Sequence, residues 1–515
     1  MKKLPIHPIL LAAYAVLALF AHNIEEIPFT VTIRTLLFSL VATLALFGIL
    51  RLTLKDWRRA GLVASLLLAL FFSYGHLYAY LENVQMLGVT LGRHRILALV
   101  WLALGVLGSG WLFNRKRDLA ALTQGANAIA LLLLAFPVIQ IIQFGLRPLA
   151  APPAQGKAAA PQAALHLPQG KPAPDIYYII LDAYSRDDTL LDYYGIDNRP
   201  FLDQLQGLGF YIGRCSRSNY AQTQLSLASS LNMEYLSELS PDYRPPNRKK
   251  VGIEEFIRHS AVRQALEDLG YTTVAFETGF KGTQWEDADR YLSPRPGGLE
   301  RMEILGGLNG FEALFLRTTA GLILADGAAK LPAFLRADFD NPQRIHYERV
   351  LYVLEQLEAM PALPGPKLVF AHIVMPHPPF VFGKDGEFIP EDREDFQGYS
   401  DQVAYIDRRM VPLLENLISE SPVPPIIILQ GDHGGVNTSP GKRPDILNAY
   451  YLPDGGAENL YESISPVNTF RVIFDTYYGG RYELLPEKAY FSVYDHPFDL
   501  MPIPEARAGC PTEAR

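Results

Sequence analysis

The sequence predicts an α/β protein in two parts, an N-terminal five-helix transmembrane domain followed by a mostly parallel sheet covered by helices. Three observations predict it. The first 150 residues hold five long apolar stretches, roughly 9–21, 35–50, 61–80, 96–113 and 125–143. A stretch rich in Pro, Ala and Gly follows at 148–174. Beyond it, short and fully apolar runs alternate with helical patterns, the signature of a parallel sheet buried on both faces.

A bilayer-spanning helix needs ~20 apolar residues, and most of the stretches approach that length. The first is shorter, and a signal peptide is the alternative reading. No Ala-x-Ala-type site follows it, and "HNIEEIPF" is a poor cleavage region, so a retained membrane helix is expected. Basic residues set the orientation. Lys2 and Lys3 precede the first helix, Arg51, Lys55, Arg58 and Arg59 lie between the second and third, and Arg115, Lys116 and Arg117 lie between the fourth and fifth. The loop around Glu25 and Glu26 has no Lys or Arg, while the next carries Arg93 and Arg95, a mild exception. The positive-inside rule puts the N-terminus in the cytoplasm, and five crossings deliver everything after the fifth to the outer face.

At 515 residues the chain exceeds one ordinary domain. Residues 1–147 form the expected membrane domain, 148–174 an extended linker, and 175–515 a second folded domain. The net charge of −8 gives no support for a nucleic-acid partner. Cys215 and Cys510 are the only cysteines; two so far apart make no disulfide framework, and a semi-buried thiol and a tail thiol are expected.

In the second domain, Ile176 to Leu181 is an apolar run ending at Asp182. "AVRQALEDLG" reads as a helix stopped by Gly270, and Thr272 to Phe276 as the next strand. Lys367 to Ala371 is a further strand ending at His372, and a helix from Met410 to Ile418 leads to the strand Ile426 to Leu429. That last strand runs into "QGDHGG", residues 430–435. Ligands of such folds bind beyond the carboxyl ends of the strands.

Three strand ends therefore offer candidates: Asp182, the His372/His377 pair and Asp432-His433. Singly, each has a plain structural explanation as a turn former or a satisfied imidazole. Their joint occurrence at one sheet edge is not explained that way. The segment "SNYAQTQLSLASSLN", Ser218 to Asn232, places Thr223 near the first turn of a helix whose Ser226, Ser229 and Ser230 keep one side small. Close packing on the sheet accounts for the small residues. Thr223 at a helix N-terminus also fits a nucleophile, because free backbone N–H groups there favour an anion. A threonine hydroxyl needs a base or a metal to activate it, and two carboxylates with an imidazole suit Zn²⁺ or Mn²⁺.

The order strand–Asp182, helix–Thr223, His377 in "MPHPPF", then "GDHGG" resembles the alkaline phosphatase superfamily in its sulfatase-like branch. With the membrane helices and "SPVNTFRVIFDTYYG" at Ser465 to Gly479, the chain most resembles lipoteichoic acid synthase-like proteins and, less closely, phosphoethanolamine transferases. The resemblance implies a sulfatase-like catalytic domain at 175–515. It implies one divalent metal ion, Mn²⁺ or Zn²⁺ ahead of Mg²⁺ or Ca²⁺, held by Asp182, Thr223, Asp432 and His433. Thr223 would be the covalent nucleophile and His377 a contact to the transferred group. The synthases carry Glu where this chain has Asp182, and a Trp-x-Arg element whose nearest counterpart, Trp285-Glu286-Asp287, lacks the arginine; Trp285 is the remaining substrate-binding candidate. "CSRSN" at Cys215 lacks the proline of a formylglycine motif, so sulfatase chemistry is not expected.

The implied activity is transfer of a substituted phosphoryl group, phosphoglycerol- or phosphoethanolamine-like, from a membrane lipid head group to an exported glycan or lipid acceptor. A phosphoester or sulfate-ester hydrolase, and a non-catalytic membrane scaffold with a vestigial site, are the alternatives. The implied location is the bacterial inner membrane, multi-pass, with the catalytic domain on the periplasmic side. Reporter fusions at Lys116 and at Gln169 are expected to report opposite compartments. The same compartment at both positions would break the five-helix topology.

Overall fold

The computed structural model describes residues 4–24, 29–81, 84–86, 89–90, 93–114, 119–150, 163–167, 170, 172–294, 310–323, 342–390, 396–435, 437–504 and 510. The chain divides into two units, Met1–Ala151 with Leu299–Pro342, and Pro152–Gly298 with Gln343–Arg515. The first unit thus takes in a stretch that the sequence presents as part of one continuous domain from 175 onward.

Five helices open the first unit: α1 (His7–His22), α2 (Ile33–Leu54), α3 (Trp57–Leu81), α4 (His94–Asn114) and α5 (Ala120–Ala150). Four helical spans are long and apolar enough to cross a membrane, Phe29–Leu54, Trp57–Leu81, His94–Asn114 and Ala120–Gly145. The expected first span falls short for a simple reason. The 16 residues of α1 rise only about 24 Å, less than the ~30 Å hydrocarbon core. Its start is nonetheless fixed inside the unit, because the Asn127 side-chain oxygen on α5 accepts from the Ile6 and His7 N–H groups, both at 3.0 Å. Those are donors that a helix N-terminus leaves unmet. The helix Gly310–Thr318 joins the same unit through Phe311 and Phe315, which pack with Val16 and Phe20. Arg34 Nε donates to Glu312 Oε1 at 2.5 Å, an ion pair beside that cluster.

The second unit is built on seven strands: β1 (Ile176–Leu181), β2 (Tyr211–Ile212), β3 (Thr272–Phe276), β4 (Arg290–Leu292), β5 (Lys367–Ile373), β6 (Ile426–Gly431) and β7 (Asn448–Tyr451). They lie in the order β2-β7-β6-β1-β5-β3-β4, with β7 antiparallel to both its neighbours and the remaining pairs parallel. The helices that matter for the site are α6 (Thr223–Asn232), α7 (Ala261–Asp268), α8 (Pro342–Glu358), α9 (Phe396–Glu420) and α10 (Pro466–Tyr478).

Every residue of β1 is buried, so both faces are covered. Alternation sends Ile176, Tyr178 and Ile180 into one layer, with Leu225, Leu231, Phe470 and Phe474 of α6 and α10. Tyr177, Ile179 and Leu181 enter the other layer, with Leu354 of α8 and Val403, Ile406 and Leu413 of α9. This double cover is why the strand reads as a continuous apolar run rather than an alternating one.

Part of the expected linker is described, and the expectation about the cysteines changes. Residues 151–162 of the expected linker lie outside the described residues; further on, Ala163 N–H donates to Gly480 O at 3.2 Å and His166 N–H to Tyr478 O at 3.1 Å, docking this end on the second unit. The cysteines are not free thiols. Cys215 and Cys510 form a disulfide, their Cα atoms 5.7 Å apart across 295 residues of sequence. Sequence distance misled here, since the intervening chain folds back and brings the tail to residue 215.

At the amino end of the sheet, Asp175 and Lys367 form a buried pair, with Nζ 2.5 Å from Oδ2 and the Lys367 N–H donating to Oδ1 at 3.1 Å. Removing one member strands the other charge, at a cost of about 3–5 kcal/mol. Asp175→Ala is therefore expected to lose about that much stability by denaturant titration. Adding Lys367→Met should recover most of the loss, and a double variant no more stable than the single one would reject the pair as its cause.

Candidate active site

The site forms because three adjacent strands end at one level. Leu181 of β1 is in register with Ile373 of β5 and with Gly431 of β6. The next residues out are Asp182 and Asp432, and His377 follows β5 within the same turn region. His377 N–H donates to the Asp182 carbonyl at 3.0 Å, tying the two strand ends together.

Four polar atoms meet here. Thr223 Oγ1 is 3.2 Å from His433 Nε2, which lies 3.6 Å from Asp182 Oδ1 and 3.5 Å from Asp432 Oδ2. Asp182 also groups with His377 and His433, and separately with His372 and Asp432, each set having ligand atoms within 4.8 Å of one another. The two carboxylates are almost fully buried, yet Asp182 Oδ1 and Asp432 Oδ2 have no hydrogen-bond partner. Their other oxygens are satisfied. Asp182 Oδ2 accepts from His372 Nε2 at 3.2 Å, and Asp432 Oδ1 accepts from the Ala183 and His433 N–H groups at 3.0 and 2.9 Å.

This pattern fits a divalent metal. Buried carboxylate oxygens without partners are costly, and a cation removes the cost. A tetrahedral site with ~2.1 Å metal–ligand bonds has donor–donor edges of about 3.4 Å, matching the 3.2–3.6 Å separations around His433 Nε2. His433 Nδ1 donates to the Gly434 carbonyl at 2.9 Å, which fixes the tautomer and turns the Nε2 lone pair toward Thr223 and the two carboxylates. His372 would play the outer-shell part for Asp182, with its Nδ1 met by the Thr283 hydroxyl at 2.9 Å.

The electrostatics agree. Burial alone would raise the Asp182 carboxyl, but the charge of His377, the hydrogen bond from His372, and the charges of His372 and His433 hold it well below the usual range. Burial pushes the His433 imidazole down, against the pull of Asp432. His346 on α8, also near His377 and Asp182, is pushed down to about 3, chiefly by burial.

The backbone at this edge is specialised. Ala183 has φ 65°, a left-handed conformation in which its N–H reaches Asp432. The glycines of "GDHGG" permit close approach: a Cβ on Gly434 would meet the carbonyl oxygens of Asp445 and Arg443 at 2.9 and 3.0 Å, and one on Gly435 would collide with the Tyr194 hydroxyl.

Thr223 is the first residue of α6, and Gln222 precedes it in an extended conformation without capping the helix through its side chain. The Gln222 amide instead donates to Ser492 Oγ at 3.0 Å and its oxygen accepts from Lys250 Nζ at 3.2 Å. The first-turn N–H groups of α6 are thereby left to the space beside Thr223.

Trp285 does not join this group. It is 0% exposed, stacked on Phe370 with centroids 4.5 Å apart and covered by the Arg263 guanidinium, so its ring has no surface to offer a substrate. A residue not singled out in the sequence takes a place beside the site instead. Arg443 lies in the loop that approaches Gly434, within electrostatic reach of Asp432 and Asp182. The outer-shell role of His372 and the presence of His346 were equally invisible, because both depend on what packs against them.

No family model matches the sequence, and no curated protein matches it. Among solved structures, the chain is similar to the C-terminal periplasmic domain of EcEptC from Escherichia coli in complex with Zn, at 14% identity and TM-score 0.38, covering 64% of this chain and 93% of that one. It is similar to the integral membrane lipooligosaccharide phosphoethanolamine transferase A from Neisseria meningitidis, at 12% identity and TM-score 0.38, covering 92% and 95%. A third is the lipoteichoic acid synthase LtaP from Listeria monocytogenes, at 14% identity and TM-score 0.32, covering 55% and 66%. Identities of this size leave the chemistry to be read from the side chains of the site.

Asp432→Ala and His433→Ala are each expected to lower bound metal, measured by elemental analysis on folded protein. His372→Ala, which removes only an outer-shell partner, is expected to weaken metal affinity by about 10–100-fold. Unchanged metal content in the first two variants would reassign "GDHGG" to a structural turn.

Proposed function

We propose that the protein is a membrane-anchored, metal-dependent transferase that moves a substituted phosphoryl group from a lipid head group through a covalent ester on Thr223. The observation that carries this reading is the meeting of the Thr223 hydroxyl with His433 Nε2 and two unpartnered carboxylate oxygens at the start of a helix. Nothing in a purely structural turn calls for a hydroxyl, an imidazole lone pair and two orphaned anionic oxygens to converge.

Asp182, Asp432, His433 and Thr223 would hold the ion, which supplies a lowered hydroxyl pKa and positive charge opposite the reacting phosphoryl oxygens. The donors are oxygen and imidazole nitrogen, a set suited to Zn²⁺ or Mn²⁺; both thiols are consumed in the disulfide. The Thr223 oxygen attacks phosphorus, the P–O bond to the lipid alcohol breaks, and that alcohol leaves with a proton. An acceptor hydroxyl then attacks the same phosphorus, gives up its proton and restores Thr223. The free N–H groups of the α6 first turn favour the anion throughout. His377 Nδ1 donates to the Pro378 carbonyl at 2.8 Å, leaving its other nitrogen to hydrogen-bond the transferred group or to carry the proton of the leaving or entering alcohol.

The location follows the same reading. A disulfide persists in oxidising compartments, so Cys215–Cys510 supports an extracytoplasmic catalytic unit, and the apolar helices of the first unit support attachment to the bilayer that supplies the lipid. The acceptor is an exported glycan or lipid hydroxyl.

Thr223→Ala is expected to reduce turnover by several orders of magnitude, as removal of a nucleophile does, while metal binding is retained in part. Peptide mass spectrometry of unmutated protein incubated with membrane lipids should find an adduct on the 218–232 segment. Its mass separates phosphoglycerol, phosphoethanolamine, bare phosphate and sulfate. A fully active Thr223→Ala enzyme would sink the mechanism.

A further inference from the structure

The second unit encloses several arginines, and most of them are fully committed. Arg186 donates to Asp188 Oδ1 and Oδ2 at 2.7 and 3.0 Å and to the Ser216 carbonyl at 3.1 Å. Arg263 reaches Glu267 at 2.7 Å and Asp287 at 3.0 Å. Arg471 donates to the Met233 carbonyl at 3.0 and 2.7 Å. Each has a built-in acceptor set that explains why a guanidinium was taken from water.

Arg443 has none. Among the described residues its side chain has no hydrogen bond and no ion pair, although it is only partly exposed. Its backbone is well fixed: the carbonyl accepts from Gly434 N–H at 2.7 Å, and the adjacent Pro444 carbonyl accepts from Ser218 N–H at 2.8 Å. The loop's other charges are engaged elsewhere, Lys442 with Asp188 and Asp445 at 3.5 and 3.3 Å, and Asp445 with Arg186 at 3.1 Å. The charges and dipoles that Arg443 does feel are Asp432, Asp182, Tyr194, Tyr399 and His433, all at or next to the site. Burial pushes its guanidinium down.

A half-buried guanidinium without a protein partner keeps its donors for an anion that enters the site. Asp182 and Asp432 lie beyond ion-pair distance and offer their free oxygens to a metal. The counter-charge left for Arg443 is a ligand. A planar guanidinium fork matches the oxygens of a tetrahedral oxyanion. We propose that Arg443 is the anion-gripping residue of this site, binding non-bridging oxygens of the phosphoryl group held against Thr223. The inference rests on the phosphoryl-transfer reading and names a residue that touches the substrate in it.

The test uses metal-loaded, full-length protein in detergent, titrated by calorimetry with inorganic phosphate and, separately, with a short-chain glycerophospholipid. Arg443→Met is expected to weaken both by about tenfold or more, with metal content unchanged, and the probe bound more tightly by the unmutated protein identifies free phosphate or lipid head group as the source. Arg443→Lys, which keeps charge and bulk, should bind between the two and serves if the methionine variant does not fold. Wild-type affinity for both probes in whichever variant folds, or loss of metal from it, would overturn the assignment. Thr223→Ala separates the two claims: phosphate bound by that variant together with full turnover would reject the nucleophile and leave Arg443 standing.

Discussion

The register of β1 against its two parallel neighbours is the constraint on which everything else depends. Parallel strands in register end together, so residues that follow Leu181 and Gly431 must emerge side by side. A shift of one residue would also turn every buried side chain of β1 to the opposite layer. The two apolar layers, built on Ile176-Tyr178-Ile180 and Tyr177-Ile179-Leu181, forbid such a shift. The packing of the core and the meeting of Asp182 with Asp432 are therefore one fact.

The buried carboxylates of this unit fall into two kinds, and the contrast defines the site. Asp175 has both oxygens occupied by Lys367, one by its N–H and one by its ammonium. That is a closed structural pair. Asp182 and Asp432 each have one oxygen fixed by a protein donor and one left bare. Fixing one oxygen aims the other, which is how outer-shell contacts orient metal ligands. The cost of leaving buried anionic oxygens bare is set against a stability that is small in total for any domain. Such an arrangement makes physical sense only when a cation completes it.

Much of this was legible in the chain. β1 and β3 have the bounds their apolar runs imply, and β5 and β6 each extend two residues further toward the site. Thr223 falls on the first turn of α6 because Gln222 and the residues before it carry no helical pattern. What failed to show has specific causes. Helix α9 begins at Phe396, well before Met410, since Gly398 and a run of polar residues mask a stripe that Tyr399, Val403, Ile406 and Met410 do complete. Trp285 was judged by its neighbours in sequence, whereas its burial comes from Phe370 and Arg263, neither of them near in the chain. Arg443 sits in a polar loop where composition alone cannot tell a solvated charge from a half-buried, unpartnered one. The disulfide was hidden by distance along the chain, which bears on closure entropy but not on folded proximity.

Thr223, the proposed nucleophile, is held in place by the chain that leads into α6. The segment before Thr223 has little regular structure, yet its polar groups are bonded one by one. Cys215 N–H donates to Glu462 O at 2.8 Å, Ser216 Oγ to Ile464 O at 2.6 Å, and Asn219 Nδ2 to Ser465 Oγ at 2.9 Å, while Val467 N–H donates to Asn219 Oδ1 at 2.9 Å. The disulfide adds a covalent tie at Cys215. These bonds fasten the approach to α6 onto the start of α10, whose Val467, Phe470 and Phe474 are buried in the core. The Ser218 N–H bond to Pro444 O then joins that approach to the loop carrying Arg443. Thr223 and Arg443, 220 positions apart in the sequence, are thus positioned by a shared set of backbone bonds rather than by separate flexible loops. The proposed reaction would gain from having nucleophile and charge in place beforehand and would draw its precision from this polar lattice, with the strand register supplying the carboxylate half against which that lattice is set.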